Sequence, residues 1–417
     1  MNYDECLAYL DRLGNEVLTM KFGLETIRKL LESLGDPHLK YPSVLIAGTN
    51  GKGSLACFLN SVCTASGIRN GVYTSPHLVK PEERIVVDDQ MIDSQVFADR
   101  LTDVVEAVNQ LGLPSHPTYF EILTATAFLY FAEQKVELAI LEVGMGGRLD
   151  STNVVDPVLS ILTPVGLDHQ AFLGETLEAV ASEKAGIFHE EGLALMAPQR
   201  SRVQRVLSSG AGKKKVKLVE LDTSTLQCLG STEGKYSFRF HGENYTLSMC
   251  GRHQVGNAAL AIQALELLAG CGFSVSKSSL QEGIETAYCA GKIQILSHDP
   301  TIVLDGAHNA DALSNLIQFL KEHTREPRSL VFSIMKDKDI TPVKELLEDC
   351  FQDIYLTAVD STRAASAETL QGLLPSGILA GDSLRAYQQA LNSSVQTIVV
   401  AGSFHLVGEI MRRTMDQ

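Results

Sequence analysis

Ser43-Val44-Leu45-Ile46-Ala47 runs straight into Gly48-Thr49-Asn50-Gly51-Lys52-Gly53-Ser54, and a helical pattern follows to about Ala65. A short apolar run closed by glycine reads as a strand buried on both faces, and Gly53 to Ala65 as the helix after it. The glycines let the backbone fold closely around a polyphosphate. Loop N–H groups and the helix N-terminus then face the anion, with Lys52 as a mobile cation. Ser54 is placed to reach a metal or a phosphate oxygen. The loop departs from the G-x-x-x-x-G-K-[ST] pattern, because Ile46 stands where the first glycine belongs and Gly53 follows the lysine. A plain glycine turn would explain the glycines but not the lysine between strand and helix. Thr49, Asn50, Gly51, Lys52, Gly53 and Ser54 are therefore candidate phosphate-binding residues.

Working outward, short β-rich runs alternate with amphipathic helical patterns, the mark of an α/β protein with parallel sheets. Strands are expected at Gly71–Thr74, Val136–Val143, Val158–Thr163 and Leu193–Ala197, and a helix from Val255 to Ala269. Lys217–Leu221, Tyr236–Phe240 and Tyr245–Met249 alternate, with His241–Asn244 as a turn, and are expected to form an antiparallel β insertion. A second α/β series begins at Thr301–Leu304 and continues at Ser329–Ser333, Ile354–Thr357 and Thr397–Ala401. Ser297–Pro300 offers turn chemistry, so the division is expected as 1–297, a large P-loop-type ATPase domain, and 298–417, a smaller Rossmann-like domain. A cleft between the two is the default place for a ligand.

The chain has 417 residues, 45% apolar and 20% charged, with 50 acidic against 35 basic residues and a net charge of -15. That balance argues against a nucleic-acid or anionic-membrane surface. No apolar run reaches membrane-spanning length, and Asp4, Glu5, Asp11 and Arg12 stand where a signal peptide would need an apolar core. The eight cysteines form no C-x-x-C pair, which fits reduced thiols in the cytoplasm.

Three further residues sit where chemistry is expected. Glu142 ends an apolar run and precedes Gly144, Gly146 and Gly147. A carboxylate at the end of a buried strand calls for a cation, which in a nucleotide site is usually Mg²⁺. By itself such a Glu is as often a cap or a salt-bridge partner. His169 follows the Val158–Thr163 strand, and a lone histidine is more often a hydrogen-bonded core residue than a ligand. Lys184 alone reads as a helical surface lysine. The residues support a P-loop-like ATP or GTP enzyme without naming its acceptor.

GTNGKGS, YTSPHL (Tyr73–Leu78), LEVGMGGRLDSTN (Leu141–Asn153), LDH (Leu167–His169), EKAGI (Glu183–Ile187), HQVGNAALA (His253–Ala261) and LDGAHN (Leu304–Asn309) occur in one order. Together they resemble the Mur ligase superfamily, and within it the folylpolyglutamate synthases, which often also act as dihydrofolate synthases. The resemblance implies transfer of the ATP γ-phosphoryl to a substrate carboxylate, attack by L-glutamate on the acyl phosphate, and an amide product. Lys52 and one or two Mg²⁺ ions would neutralise the meeting of two anions. Small molecules are the implied partners: a reduced folate or dihydropteroate, L-glutamate and ATP, handled by a monomer.

By the same resemblance Ser75, Glu142, His169 and Lys184 hold the metal, Lys184 as a carbamate. Asn257 contacts adenine, Asp305 and His308 the ribose and phosphates, and Lys292 a phosphate. Lys52, Lys184, His169 and His308 form the catalytic set. The pterin pocket falls on Phe22, Gly23, Leu24, Thr118, Tyr119, Phe120 and Glu121, completed by Asp150 and Asn153. Turn-forming and helix-capping roles are the plainer readings of Asp305 and Asn309. Ser403 and Arg363 stand as guesses for incoming glutamate. Two departures stand out. Cys289-Ala290-Gly291-Lys292 replaces the family's Trp/Leu-Pro-Gly-Arg, keeping the charge but losing the planar fork. Lys21 replaces the Asp of many bifunctional relatives, whereas Gly402-Ser403-Phe404-His405 looks like the bifunctional form. The alternatives are a folylpolyglutamate synthase without the second activity, another Mur-type ligase, and a nucleotide-hydrolysing regulatory protein.

Overall fold

The computed structural model describes residues 1–14, 23–113 and 115–415, the side chain of residue 415 excepted. Its first sheet is built from β1 (Ser43–Ala47), β2 (Asn70–Tyr73), β3 (Ile85–Val87), β4 (Gln90–Met91), β5 (Leu138–Glu142), β6 (Leu159–Leu162), β7 (Leu193–Met196) and β8 (Lys217–Glu220). The strand order is β4-β3-β2-β5-β1-β6-β7-β8. From β2 to β8 neighbouring strands are parallel, and β3 and β4 add an antiparallel edge. β1 shows why an apolar run belongs in the middle. Val44 and Ile46 enter one apolar layer while Leu45 and Ala47 enter the layer on the other face.

Three antiparallel strands follow, β9 (Gln227–Thr232), β10 (Lys235–Phe240) and β11 (Glu243–Cys250), in the order β11-β10-β9. The last two are joined at His241 and Gly242, both with positive φ, as a two-residue hairpin turn requires. One expectation needs correction here. Lys217–Glu220 is not part of the antiparallel insertion: it is the outer parallel strand of the first sheet, and β9 takes its place. All of β9 is exposed, so it carries none of the apolar alternation that marks a strand in sequence.

The second sheet comprises β12 (Gln294–His298), β13 (Thr301–Asp305), β14 (Arg328–Phe332), β15 (Asp353–Leu356), β16 (Ile378–Leu379) and β17 (Thr397–Ala401), ordered β12-β13-β17-β14-β15-β16. All its pairings are parallel except that of β12 with β13. The junction expected after residue 297 falls inside β12, which belongs to this sheet. Among the described residues no helix is long and apolar enough to cross a membrane.

Two features of this scaffold set the site. Ile46 lies in register with Glu142, and Ala47 with Leu162, so the glycine loop, the carboxylate and the segment after β6 leave the sheet along one edge. That edge, at the carboxyl ends of parallel strands, is where open α/β sheets bind ligands.

Candidate active site

Gly48 and Gly51 both take left-handed φ, at 147° and 93°. A Cβ on Gly48 would lie 1.8 Å from the Thr163 hydroxyl oxygen, and one on Gly51 2.6 Å from Asn257 Oδ1. The loop is thus wedged between β6 and the helix His253–Ala269 with no room for a side chain. Thr49 fastens it further: its hydroxyl donates to the Gly166 carbonyl and accepts the Gly166 N–H, both at 3.0 Å. The N–H groups of Thr49 and Asn50 donate to the Pro164 carbonyl. The donors left to an anion are those at the start of the helix Lys52–Ala65, whose first turn has no intrahelical acceptors. Ser54 is buried and accepts from Gln254, which in turn accepts from Asn257.

Lys52 Nζ stands 3.9 Å from Glu142 Oε1, and the Ser75 N–H donates to Glu142 Oε2 at 3.2 Å. Burial pushes the Glu142 carboxyl up, against the pull of Lys52 and the Ser75 N–H. Lys184 is buried behind the loop and donates to the Gly48 carbonyl at 2.7 Å. Burial, reinforced by the charge of Lys52, pushes its amine down to about 7. His169 holds a left-handed φ of 50° and caps the short helix Gln170–Leu173. Burial lowers its imidazole to about 3, with Asp168 opposing, and leaves a neutral ring whose enclosed Nδ1 finds no partner among the described residues.

The buried Glu142 carboxylate suits a hard divalent cation, and the orphaned Nδ1 of His169 is a second donor that favours one. Among the described residues no three His, Cys, Asp or Glu side chains converge as a metal cluster.

From the second sheet, His308 Nδ1 lies 2.8 Å from the Gly306 carbonyl and its Nε2 lies 3.5 Å from Asp168 Oδ2. Asn309 caps the helix Ala310–His323 and makes a reciprocal amide pair with Asn50, at 3.0 and 3.3 Å. The capping role expected as the plainer reading of Asn309 is real, and the same side chain reaches the phosphate loop. Asp305 accepts the N–H groups of Ile293 and Ala307, so it organises the turn leading to His308. Lys292 sits over the Phe404 ring, 4.4 Å from its centroid. Arg363 pairs with Asp337 at 2.8 Å, and the Ser403 hydroxyl accepts the Leu406 N–H.

The expected pocket segments are engaged internally. Thr118 and Glu121 form a capping box on the helix Tyr119–Glu133. Phe120 is buried and its ring lies 5.7 Å from that of Tyr73, while the Arg84 guanidinium stands over Tyr119. Asp150 accepts from Met145 N–H, Thr152 N–H and the Thr152 hydroxyl. Asn153 donates to the carbonyls of Arg148 and Gly186. Gly23 and Leu24 precede the helix Glu25–Ser33. Phe22 and Lys21 lie outside the described residues.

Sequence reasoning gave Asp168 and Lys338 no role. Lys338, after β14, contacts the Asp168 carboxylate directly, and both side chains are nearly enclosed. Burial opposes ionisation of Asp168, but His308, His169 and Lys338 outweigh it and hold the carboxyl far below the usual range. The readable signal was the alternating Lys336-Asp337-Lys338-Asp339 directly beyond a buried strand.

Two family models match: the Mur ligase middle domain over residues 46–265 and the Mur ligase glutamate ligase domain over residues 292–404. The chain is 33% identical over 411 residues to a dihydrofolate synthase/folylpolyglutamate synthase of Bacillus subtilis, covering 94% of this chain and 95% of that one. It superposes with a TM-score of 0.88 on Escherichia coli FolC in complex with DHPP and ADP, at 30% identity, covering 100% of this chain and 98% of that chain. A bifunctional folylpolyglutamate synthase/dihydrofolate synthase with Mn, AMPPNP and L-glutamate bound gives 0.86 at 29% identity, covering 100% and 98%.

Proposed function

The chain belongs to the Mur ligase family, and we propose that it is an ATP-dependent ligase that adds L-glutamate to folates and joins glutamate to dihydropteroate. The γ-phosphoryl of ATP passes to the substrate carboxylate, the glutamate amine attacks the acyl phosphate, and phosphate leaves as the amide forms. The observation that carries this reading is Lys52 beside a buried Glu142 at the sheet edge, on a loop whose Asn50 is held by Asn309 from the second sheet.

Each part of the chain has a task in this scheme. Thr49, Asn50, Gly51, Lys52, Gly53 and Ser54 shape and hold the triphosphate, with Lys52 neutralising the anion that the substrate carboxylate must approach. Asn257 takes the adenine, and His308, Lys292 and the Asp305 turn close over the ribose and phosphates. Ser75, Glu142, His169 and Lys184 would hold the divalent ion, whose chemistry when bound is to neutralise phosphate charge. Gly23 and Leu24, Thr118 to Glu121, Asp150 and Asn153 form the folate wall, and Phe22, outside the described residues, is assigned to the same pocket by sequence alone. The two sheet units, dividing before β12, meet across Asn50–Asn309 and Asp168–Lys338, a seam that would keep water from the acyl phosphate. We place the protein in the cytoplasm as a monomer acting on small molecules, without nucleic acid or membrane. The acidic balance supports that.

Lys184 is the carbamate candidate. A half-neutral amine attacks CO₂, forming an N–C bond and releasing one proton, and the anion that results replaces a cation beside Lys52. Intact mass in bicarbonate buffer should rise by one CO₂ and fail to do so in Lys184→Ala. An unchanged mass in the unmodified chain removes the carbamate.

Incorporation of labelled L-glutamate, with dihydropteroate and tetrahydrofolate supplied separately, tests the activity. Both acceptors should be glutamylated, and Lys52→Ala should lose at least about 10³-fold in kcat while still folded. Incorporation into tetrahydrofolate alone restricts the enzyme to folylpolyglutamate synthesis, without the dihydropteroate activity. ATP hydrolysis with no incorporation overturns the folate reading.

A further inference from the structure

A cavity of about 580 Å³ opens between the helices Leu177–Lys184 and Ser201–Lys213, away from the phosphate loop. Its lining is unlike the rest of this acidic chain. Arg148, Arg202, Arg205, Lys213 and Lys214 contribute cations, and Glu178 is the one acid on the wall. Arg202 lies 3.9 Å from Glu178 and Arg148 pairs with Glu183 at 2.9 Å. Among the described residues, Arg205 and Lys213 face no carboxylate within ion-pair distance. The floor is apolar and shallow, made by Ala185, Gly186, Val206 and Gly210.

The cavity shares a wall with the segments proposed to hold the folate. Asn153 ties the Arg148 and Gly186 carbonyls together, at 3.2 and 3.3 Å. A Cβ on Gly186 would meet Arg148 Cα at 2.3 Å, so the two backbones touch. Lys184, two residues before Gly186, reaches through to the Gly48 carbonyl. Arg202, Arg205, Ser209 and Lys213 recur along one face of a single helix, over roughly 16 Å at 1.5 Å per residue. That span exceeds one glutamate.

Resting on the proposed activity, the charge problem is repetitive. Each round consumes one terminal carboxylate and leaves one more α-carboxylate behind on the γ-linked chain. The growing end must return to Lys52, so the earlier carboxylates have to lie elsewhere on a protein of net charge -15. We infer that this basic cavity binds the α-carboxylates of the γ-glutamyl chain on an already extended folate. The apolar floor accepts the methylene spacers and the rim accepts the charges.

The test compares the unmodified chain with R205A/K213A, using tetrahydropteroyl mono- and triglutamate as acceptors and a free tetra-γ-glutamate peptide as a binding probe. Both substituted residues are exposed and outside the proposed catalytic and folate-binding sets. The triglutamate KM should rise about tenfold and peptide binding weaken by a similar factor, with the monoglutamate kcat and KM unchanged. R205K should restore most of the loss. Equal changes for both acceptors, or none for either, overturn the inference. So does calorimetric binding of tripolyphosphate that R205A/K213A abolishes, with no binding of the peptide, which would make this a phosphate site. Should the unmodified chain glutamylate nothing, the activity reading fails while the peptide arm still reports on the cavity.

Discussion

At the scale of single residues, burial decides protonation. His253 opens the helix that presents Asn257, and burial, with the Lys292 charge in the same direction, pushes its imidazole down to about 4. An unfolded histidine titrates near 6.5. Between those two values the unfolded chain binds a proton that the folded chain refuses, so stability falls as pH drops from about 6.5 to about 4 and is unaffected by this group outside that window. The His253→Gln variant lacks the penalty. The lead in stability of the unmodified chain over the variant should therefore shrink by up to about 3 kcal/mol between pH 7 and pH 4, read by denaturant titration at each pH. A pH-independent gap would mean the imidazole is not excluded from protonation. His253 lay inside a quoted motif, yet its surroundings were invisible in the chain, because they are set by tertiary packing such as that at Gly251, where a Cβ would lie 2.7 Å from the His253 ring.

At the scale of elements, the helix Tyr119–Glu133 shows one signal doing two tasks. Thr118-Tyr119-Phe120-Glu121 carries the S/T-x-x-E spacing of a capping box and was read only as pocket lining. The box fixes where the helix starts and so where Tyr119 and Phe120 stand. Thr118→Ala should cost about 1 kcal/mol in thermal unfolding and raise the folate KM together, whereas Thr118→Ser should preserve both. A stability loss with an unmoved KM would detach the cap from the pocket. The central parallel strands were legible because strands covered on both faces read as unbroken apolar runs, and β1, β5 and β6 fell close to their expected places. The misses were the short or outer strands β3, β4, β9, β12 and β16. Their positions are set by pairing partners rather than by a buried face of their own. β8 was legible as a strand but not in its partner, since a short edge strand carries no pattern that tells a parallel neighbour from an antiparallel one.

At the scale of the whole molecule, the two sheets are locked by polar groups. Lys338 against Asp168 is an enclosed ion pair, and removing one partner strands the other. Lys338→Met should lower stability by about 3 kcal/mol, and adding Asp168→Asn should recover much of that, as a double-mutant cycle on unfolding would read. Independent, additive losses would show that the pair does not join the units. Beyond the Lys336–Asp339 alternation, this cross-interface chemistry was not legible, because it depends on how one strand series docks on the other; the places of Lys52 and Glu142 follow from strand ends, whereas Lys184, read from its own residue as a surface lysine, is buried. A last consequence concerns β9. It pairs with β10 on one side, exposes all six residues and carries no charged side chain in Gln-Cys-Leu-Gly-Ser-Thr. An uncharged open strand is a template for a second molecule. The kink where pairing shifts between Ser237 and Phe238, together with mutual repulsion of strongly acidic surfaces, opposes such pairing. Salt shortens the reach of that repulsion to about 3 Å at 1 M, so concentrated stocks of this protein will keep best in dilute buffer.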